Sequence, residues 1–386
     1  MKDFLNQRFK ERYFAEPDVI LSCGGRFEVL GNHTDHNHGL CIAATCNLSI
    51  YGVFKRRDDN KVNVHSEGYD DIKVDLKTLK KRGFEKGYPS ALIRGISAYL
   101  SNEFKYGGFD AYIKSDIPSG AGVSSSAAFE LLIAQAINYL YNDKRIPLMT
   151  LCKASQYAER EYYGKMCGLL DQIGVAYGGL VYIDFKEIDD PYVKPLHLDL
   201  KNHSFLIVNS GCSHAELSHL YTAIPRDMKK VAKYFDKEFL RDVDYEMVLQ
   251  KKEELVASVG NYVYGRAIHF YEENQRVISA INAIKNKDAK ALIQLMNKSR
   301  ISSTELLKNM YVEKIEGSPL EACELIYKAS HEKAGVKING GGFAGSVIAL
   351  IPNEELDNVI NVTKEKYGEK NVHLVGIRND IPSPLQ

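Results

Sequence analysis

The sequence lacks an excess of charge of either sign, because its 50 lysine and arginine residues balance 50 aspartate and glutamate residues. No block of like charge occurs, so we expect neither a nucleic-acid nor a membrane partner. No apolar run approaches the ~20 residues that a membrane span needs, and residues 1–17 lack the apolar core of a secretion signal. These absences favour a soluble, cytoplasmic protein, which we expect to be a monomer that binds a small molecule.

Cysteine pairs are also missing. The seven cysteines are scattered along the chain and none has the Cys-x-x-Cys spacing of a zinc or redox site. An odd, scattered set indicates reduced thiols rather than a disulfide framework.

The 386 residues are enough for two domains. Period-two apolar segments predict strands in the N-terminal half, and longer 3.6-period segments predict helices between them. The predicted strands are residues 19–23, 40–54, 60–76 and 109–114, and the predicted helices are residues 125–141, residues 148–163 and a segment that begins near residue 170. A loop follows the first strand in this prediction.

The C-terminal half begins with a predicted strand at residues 205–209. A mostly helical array over residues 214–310 and a buried strand at residues 346–351 follow. We place the boundary near residues 195–205, which gives lobes of residues 1–198 and 199–386 in an α+β fold.

A glycine-rich turn lies directly before the predicted helix at residue 125. Residues 118–128 read Pro-Ser-Gly-Ala-Gly-Val-Ser-Ser-Ser-Ala-Ala. Free backbone N–H groups and the positive end of the helix dipole meet in the first turn of a helix, and Gly120 and Gly122 allow a ligand to approach the main chain. The turn lacks the lysine of a P-loop, so it indicates a different phosphate site. The alternative is that Ser124, Ser125 and Ser126 only cap the helix.

Polar side chains crowd residues 25–39, which include Arg26, Asn32, His33 and Asp35. Such a group of donors and acceptors suits a polyol. Histidines and a carboxylate can also hold a metal, and a polar surface turn is the third interpretation. Arg26 argues against a surface turn, because an arginine beside a buried strand needs an anionic partner.

Two acidic residues flank the break between the second and third predicted helices. Glu159 precedes the break, and Asp171 follows it in a setting of small residues that includes Gly168 and Gly174. Phosphoryl transfer needs a hydroxyl and a carboxylate for a cation, an arginine for developing charge and an acid beside the attacking hydroxyl. Each carboxylate could instead be an ordinary solvated acid.

Residues 340–345, Gly-Gly-Gly-Phe-Ala-Gly, match the Gly-x-Gly-x-x-Gly pattern of dinucleotide folds. A strand rather than a helix follows, so the context excludes that interpretation. A structural hairpin and a second glycine loop that closes over the phosphates remain open.

Together these segments resemble the three signature motifs of the GHMP small-molecule kinases, and among them the galactokinases. The first motif, Gly-Arg-x-Asn-x-Ile-Gly-Glu-His-Thr-Asp-Tyr-Asn, is similar to residues 25–37. The second matches residues 118–128, and the third, Thr-Gly-Gly-Gly-Phe-Gly-Gly, resembles residues 339–345. The resemblance runs from about residue 20 to residue 350.

The resemblance implies two lobes with the active site in the cleft between them, and transfer of a phosphoryl group from ATP to the anomeric hydroxyl of galactose. It implies Asp171 as base and Arg26 as its charge-stabilising partner, with Mg²⁺ held by Ser126 and Glu159. Two further sets follow by the same resemblance: the phosphates would contact Gly120, Ala121, Gly122, Val123, Ser124, Ser125 and Ser126, and the sugar would contact Asn32, His33, Asp35, Gly168 and Tyr221.

Some positions depart from the motifs. Asn32 replaces a glutamate that contacts a sugar hydroxyl in the family, His36 replaces a tyrosine, Gly24 replaces a proline, and Ala344 replaces a glycine. An amide in place of a carboxylate can change the sugar that is bound without changing the chemistry. A kinase for N-acetylgalactosamine or a galactose-like pentose therefore remains an alternative, as does a sugar sensor that does not turn over.

Overall fold

The computed structural model describes residues 1–118, 120–211, 217–312 and 317–385. Ser119 of the glycine-rich turn and residues 214–216 of the predicted helical array lie outside these ranges. Within them the chain has twelve α-helices and twelve strands. The helices are α1 (Lys2–Tyr13), α2 (Pro89–Leu100), α3 (Ser125–Tyr141), α4 (Leu148–Tyr157), α5 (Leu170–Ala176), α6 (Ser218–Tyr234), α7 (Tyr245–Gln250), α8 (Lys252–Val259), α9 (Asn261–Lys285), α10 (Ala289–Ser302), α11 (Pro319–Ala329) and α12 (Asn353–Tyr367).

The strands form two sheets. They are β1 (Val19–Leu30), β2 (Leu40–Arg56), β3 (Lys61–Ser66), β4 (Ile72–Asp75), β5 (Phe109–Ser115), β6 (Leu180–Asp184), β7 (Tyr192–Leu196), β8 (His203–Asn209), β9 (Gly335–Asn339), β10 (Ser346–Pro352), β11 (Val372–Val375) and β12 (Ser383–Pro384). The first sheet has the order β12-β1-β2-β5-β3-β4, with β6 and β7 added beside β2. The second has the order β11-β8-β10-β9. This mixed architecture confirms the α+β fold class.

The chain leaves the first sheet after Leu196 and enters the second at His203. We retain lobes of residues 1–198 and 199–386 as a proposal, with one qualification that the structure adds. The C-terminal strand β12 returns to the first sheet, where Ser383 pairs with Ser22 of β1.

The first strand is longer than the sequence predicts. We expected a loop after residue 23, but β1 continues to Leu30 and pairs with β2, with register shifts between Gly24 and Arg26 and between Glu28 and Leu30. Its residues after Val19 are buried. The glycines and charged residues after residue 23 favoured a loop in the sequence-based prediction. That prediction was wrong because the charged side chains are paired inside the protein rather than solvated.

Three other segments differ in detail. Residues 60–76 form the hairpin of β3 and β4 instead of one alternating segment. The second predicted helix is α-helical only to Tyr157 and continues as a π-helical stretch, Ala158–Tyr163. Helix α1 was not predicted, because it buries only Leu5 and Phe9 and has little apolar periodicity.

The largest hydrophobic core joins both sheets. Helix α3 packs on β1 and β2 through a buried face that includes Leu131, Leu132 and Ile133. Phe27 of β1 meets Phe205 of β8 with 4.9 Å between their ring centroids. Since the side chains at this contact come from different sheets, the core fixes the position of one sheet against the other.

We expect Phe205→Ala to lower the free energy of unfolding by ~3–5 kcal/mol, because a buried aromatic ring would leave a cavity between the sheets. Phe205 is 6 % exposed, whereas Phe14 is 91 % exposed and provides a control with the same chemical change. Denaturant unfolding of both variants measures the difference. Equal losses in Phe205→Ala and Phe14→Ala would contradict this description of the core.

Candidate active site

The glycine-rich turn leads into α3 through backbone conformations that favour glycine. Gly120 has φ +78° and Gly122 has φ +73°, and Ser124 at the N-cap also has a positive φ of 55°. No side-chain oxygen of the described residues caps α3. The capping interpretation of the serines is therefore wrong. The first-turn N–H groups lack a side-chain acceptor, as an anion site requires.

Asp171 lies at the tip of α3, where α5 begins. Its Oδ2 accepts a hydrogen bond of 2.7 Å from Ser124 Oγ, and its Oδ1 accepts one of 2.7 Å from Arg26 Nε. Burial alone would raise the pKa of Asp171, but the charge of Arg26 and these hydrogen bonds hold it below its ordinary value. The carboxylate is therefore ionised at neutral pH and is able to accept a proton.

Arg26 connects β1 to the glycine-rich turn. Its backbone N–H donates to Val123 O at 2.9 Å, and Nη1 donates to Gly122 O at 3.0 Å. The side chain is 7 % exposed, so Asp171 is the anionic partner that the sequence required. The turn, the arginine and the acid form one rigid unit.

A second carboxylate lies at the start of α3. Glu159 Oε1 is 3.4 Å from Ser126 Oγ and accepts a 2.6 Å hydrogen bond from Lys165 Nζ. Gln172 Nε2 donates to Glu159 Oε2 and to Glu130 Oε2, each at 3.1 Å. Burial and the charge of Glu159 raise the pKa of Glu130 well above its ordinary value. Ser126 and Glu159 thus place a hydroxyl and a carboxylate side by side.

The polar loop after β1 faces this unit through Asp35. A Cβ atom on Gly168 would overlap the Asp35 carboxylate, so the absence of a side chain at residue 168 is required for the contact. Burial, with the nearby charges of Glu28 and Asp171, raises the pKa of Asp35 to about 7. Three predicted site residues, Asp35, Gly168 and Asp171, are therefore neighbours.

His33 and Tyr221 lie on the other side of the loop, against the third glycine motif. Their rings have centroids 5.1 Å apart, and a Cβ on Gly341 would overlap the Tyr221 ring. Burial raises the pKa of Tyr221 above its ordinary value, as do the charges of Asp35 and Asp171. Tyr221 therefore keeps its proton and can act as a hydrogen-bond donor.

The histidines hold one another rather than a metal. His33 Nε2 bonds Gly341 O at 2.8 Å, His33 Nδ1 bonds His36 Nε2 at 3.0 Å, and His36 Nδ1 bonds Asn37 Nδ2 at 3.1 Å. A carbonyl only accepts and an amide NH₂ only donates, so both rings are neutral with the proton on Nε2. No group of three or more His, Cys, Asp or Glu residues in the described part of the chain could hold a metal.

The third glycine motif is a hairpin loop between the antiparallel strands β9 and β10. It also contacts the glycine-rich turn before α3, because Asn339 Nδ2 donates to Gly122 O at 2.9 Å and a Cβ on Gly122 would overlap Ser346 Oγ. The two interpretations that the sequence left open are thus compatible: the loop is a hairpin, and it packs against the turn.

The resemblance implied that the Asn32 side chain contacts the sugar, but in the structure this side chain bonds protein groups. It is 1 % exposed, and its side-chain amide bonds Gly340 O, Glu28 Oε1 and Asn309 Nδ2 at 2.7, 3.3 and 2.9 Å. The structure therefore places its side chain behind the polar loop, where it joins the loop to the hairpin.

Two protein-family models match parts of the N-terminal half of the chain. The galactokinase galactose-binding signature matches residues 7–56, and the GHMP kinases N terminal domain matches residues 91–179. A galactokinase from Clostridium tetani is 32 % identical over 346 residues, which cover 86 % of this chain and 84 % of the relative. The chain belongs to the galactokinase family of GHMP kinases. It is therefore an enzyme of the kinase class, and the family uses ATP as phosphoryl donor.

Three further comparisons show how far the similarity to known proteins extends. A galactokinase from Actinobacillus pleuropneumoniae is 29 % identical, over 94 % of this chain and 92 % of its own length. The solved galactokinase of Lactococcus lactis with galactose has the same fold, with a TM-score of 0.84, 22 % identity and full coverage of both chains. The mevalonate kinase of Methanococcus jannaschii shares the fold at a TM-score of 0.63 and 19 % identity, over 94 % and 98 % of the two chains. No helix among the described residues is long and apolar enough to cross a bilayer.

Sequence reasoning missed several residues of this galactokinase-family site. Lys165 and Gln172 hold Glu159, and Asn339 holds the phosphate turn. Two signals were available: Gln172 follows Asp171 directly, and Asn339 begins the third motif. Lys165 and Gln172 are 6 and 13 residues from Glu159, across an irregular break between helices, whereas Asn339 is 217 residues from Gly122. Neither kind of contact follows from helix or strand periodicity.

Acid should destabilise this galactokinase-family fold through its buried neutral histidines. Burial lowers the pKa of His269 to about 4, and its Nε2 bonds Asn32 O at 3.0 Å. In the unfolded chain a histidine binds a proton near pH ~6.5, so between pH ~6.5 and ~4 the unfolded state binds more protons than the folded state. The free energy of unfolding therefore decreases as the pH is lowered through this range. Burial lowers the pKa of His33 to about 4 as well. Asp35 opposes the trend, because its raised pKa makes folding more favourable as pH falls.

We expect His269→Gln to reduce the loss of unfolding free energy between pH 7 and 4.5 by up to ~2.5 kcal/mol, because about two units of the pKa shift fall within this range at ~1.4 kcal/mol per unit. Denaturant unfolding at several pH values measures the slope. The exposed His197 supplies the control, since His197→Gln should retain the wild-type slope. A His269→Gln slope equal to that of the control would contradict the assignment of a neutral buried histidine.

Proposed function

We propose that the protein transfers the terminal phosphoryl group of ATP to the anomeric hydroxyl of galactose, which gives galactose 1-phosphate and ADP. The observation that carries the proposal is the position of Asp171, which bonds Ser124 at the tip of α3 and Arg26 while it lies beside the Gly168–Asp35 contact. A base at this point borders both the anion site and the polyol loop. The galactose-binding signature over residues 7–56 and the galactokinase relatives support galactose as the sugar.

The phosphates of ATP would bind the turn of residues 120–126. The N–H groups of the first turn of α3 and its dipole favour negative charge. Gly120 and Gly122 supply the positive φ angles of the turn, and Ser346 Oγ fills the space beside Gly122. Arg26 and Asn339 both donate hydrogen bonds to the Gly122 carbonyl and so hold the turn in this shape. A preformed loop loses little entropy when it binds.

In the reaction the anomeric oxygen would attack the terminal phosphorus, its O–H proton would move to Asp171, and the bond from that phosphorus to ADP would break. Arg26 keeps the pKa of Asp171 low, so the base is ionised but weak. A weak base is sufficient, because the transition state of phosphoryl transfer is loose and the attacking hydroxyl needs little early deprotonation. Arg26 also supplies positive charge where negative charge spreads over the phosphoryl oxygens.

Ser126 and Glu159 would hold Mg²⁺. Their oxygens are 3.4 Å apart at the start of α3, and Mg²⁺ commonly takes one or two protein oxygens together with phosphate and water. The oxygen donors suit the ion, which would displace the Lys165 ammonium from Glu159 Oε1 when it binds. When bound it would neutralise phosphate charge, while Gln172 keeps the carboxylate of Glu159 oriented.

A cytoplasmic location and a monomeric state stay predictions.

The sugar would lie between Asp35 and the hairpin at residues 340–345. Asp35 and Tyr221 would provide an acceptor and a donor, and the missing side chain of Gly168 allows the Asp35 carboxylate to approach the main chain there. His33 is bonded to Gly341 and His36, so it shapes the wall of the pocket.

We expect Asp171→Asn to lower kcat by at least ~10²-fold while the galactose KM stays within a few-fold, because only the proton acceptor is lost. The amide retains an oxygen for Arg26 and an NH₂ group for Ser124, so the hydrogen bonds of the loop are kept, while the loss of the Arg26 counter-ion should lower Tm. Asp35→Asn is the matched control and should raise the galactose KM with little effect on the ATP KM. A kcat for Asp171→Asn within threefold of wild type would contradict the role of this residue.

An ADP-release assay of the wild-type protein with galactose, N-acetylgalactosamine and L-arabinose tests the substrate. The proposal requires that galactose gives the highest kcat/KM. A higher value for another sugar would assign the enzyme to that sugar, and galactose binding without ADP release would indicate a sensor.

A further inference from the structure

A fully buried ion pair lies under the polar loop. Glu28 of β1 and Lys337 of β9 join the two sheets, with 2.8 Å between Oε1 and Nζ and side chains that are 3 % and 0 % exposed. Lys337 Nζ also donates to Ile338 O at 2.6 Å. A buried ammonium group needs such a carboxylate, since an unpaired charge in this environment is strongly unfavourable.

Asn32 extends this ion pair to the loop and the hairpin. Its Nδ2 donates to Glu28 Oε1 at 3.3 Å and to Gly340 O at 2.7 Å, while its Oδ1 accepts from Asn309 Nδ2 at 2.9 Å. Both amide hydrogens therefore point at acceptors and the oxygen points at a donor. The site is specific for an amide, because a carboxylate at residue 32 would place negative charge against the two acceptors.

The first motif carries the same two chemical groups in the opposite order. It reads Gly-Arg-x-Asn-x-Ile-Gly-Glu, whereas residues 25–32 read Gly-Arg-Phe-Glu-Val-Leu-Gly-Asn. Glu28 thus stands at the asparagine of the motif and Asn32 at its glutamate. The motif and this chain each have one carboxylate and one amide at these two positions. The exchange therefore keeps a single negative charge near Lys337.

We propose that Glu28 and Asn32 are a reciprocally exchanged pair of positioning residues that, together with Lys337, hold the sugar-binding loop against the 340–345 hairpin. The inference rests on the proposed function for the identity of the loop's ligand. It assigns Asn32 an indirect role: the residue sets the galactose KM through the position of the loop, and its own side chain is used by protein groups.

The proposal predicts that the two residues tolerate exchange together but not singly. In Asn32→Glu the new carboxylate faces Glu28 and the Gly340 carbonyl without a proton to donate. In Glu28→Asn the ammonium of Lys337 loses its counter-ion. In the double variant the amide at residue 28 can donate to the carboxylate at residue 32, and the charge near Lys337 is restored. The Gly340 carbonyl is then the one remaining acceptor that faces the carboxylate.

Steady-state kinetics and thermal unfolding of both single variants and the double variant test this. We expect each single variant to raise the galactose KM at least ~10-fold, as loss of a charge-assisted hydrogen bond would, and to lower Tm. The ATP KM should change by less than threefold. The double variant should return to within about threefold of the wild-type galactose KM, so that the double-mutant cycle shows strong coupling.

Val359→Ala is the control for stability alone, because Val359 is fully buried in α12, which packs against α11, β8, β10 and β11. It should lower Tm while it leaves the galactose KM unchanged. Additive single effects without rescue, or a wild-type galactose KM in Asn32→Glu, would overturn the proposal. The Tm of the unliganded variants reports the coupling even if galactose proves to be the wrong sugar, so the two failures are distinguishable.

Discussion

The ion pair between Arg26 and Asp171 is the interaction on which the site depends. It joins β1, the start of α5 and the turn before α3, and both side chains are largely shielded from water. Removal of Asp171 would leave the buried charge of Arg26 without a partner, at a cost of roughly 3–5 kcal/mol. The same contact therefore fixes both the position of the Asp171 carboxylate and its ionised state. The same pair keeps the acid ionised and places it at the positive end of a helix.

Buried polar groups form a second level of organisation around this pair. Glu28 with Lys337 and Glu273 with Arg276 are ion pairs that are almost completely buried. Glu273 Oε1 accepts hydrogen bonds from the backbone N–H groups of Gly31 and Asn32 at 3.0 and 3.2 Å. The loop that follows β1 is thus held by charges from the C-terminal half of the chain. This explains how a polar, glycine-rich segment keeps one conformation.

Local sequence patterns predicted the parts of the fold that have strong periodicity. Helix α3 begins and ends at the predicted residues, and β10 lies at the predicted segment. The proximity of Asp171 to the turn before α3 was also expected, from the chemistry of the motifs. The extension of β1 through Arg26 and Glu28 was not, because its charges are neutralised by distant residues. The buried position of Asn32 escaped prediction for the same reason, since its partners Gly340 and Asn309 are about 300 residues away in sequence.

The central claim is that Asp171, at the tip of α3, receives the proton of the attacking sugar hydroxyl. A crystal structure with galactose and an unreactive ATP analogue tests it most directly. The account predicts a distance of ~2.6–3.2 Å between an Asp171 carboxylate oxygen and the anomeric oxygen, with the phosphates against the first-turn N–H groups of α3. An anomeric oxygen beside a different acid, or phosphates bound away from this helix, would contradict it.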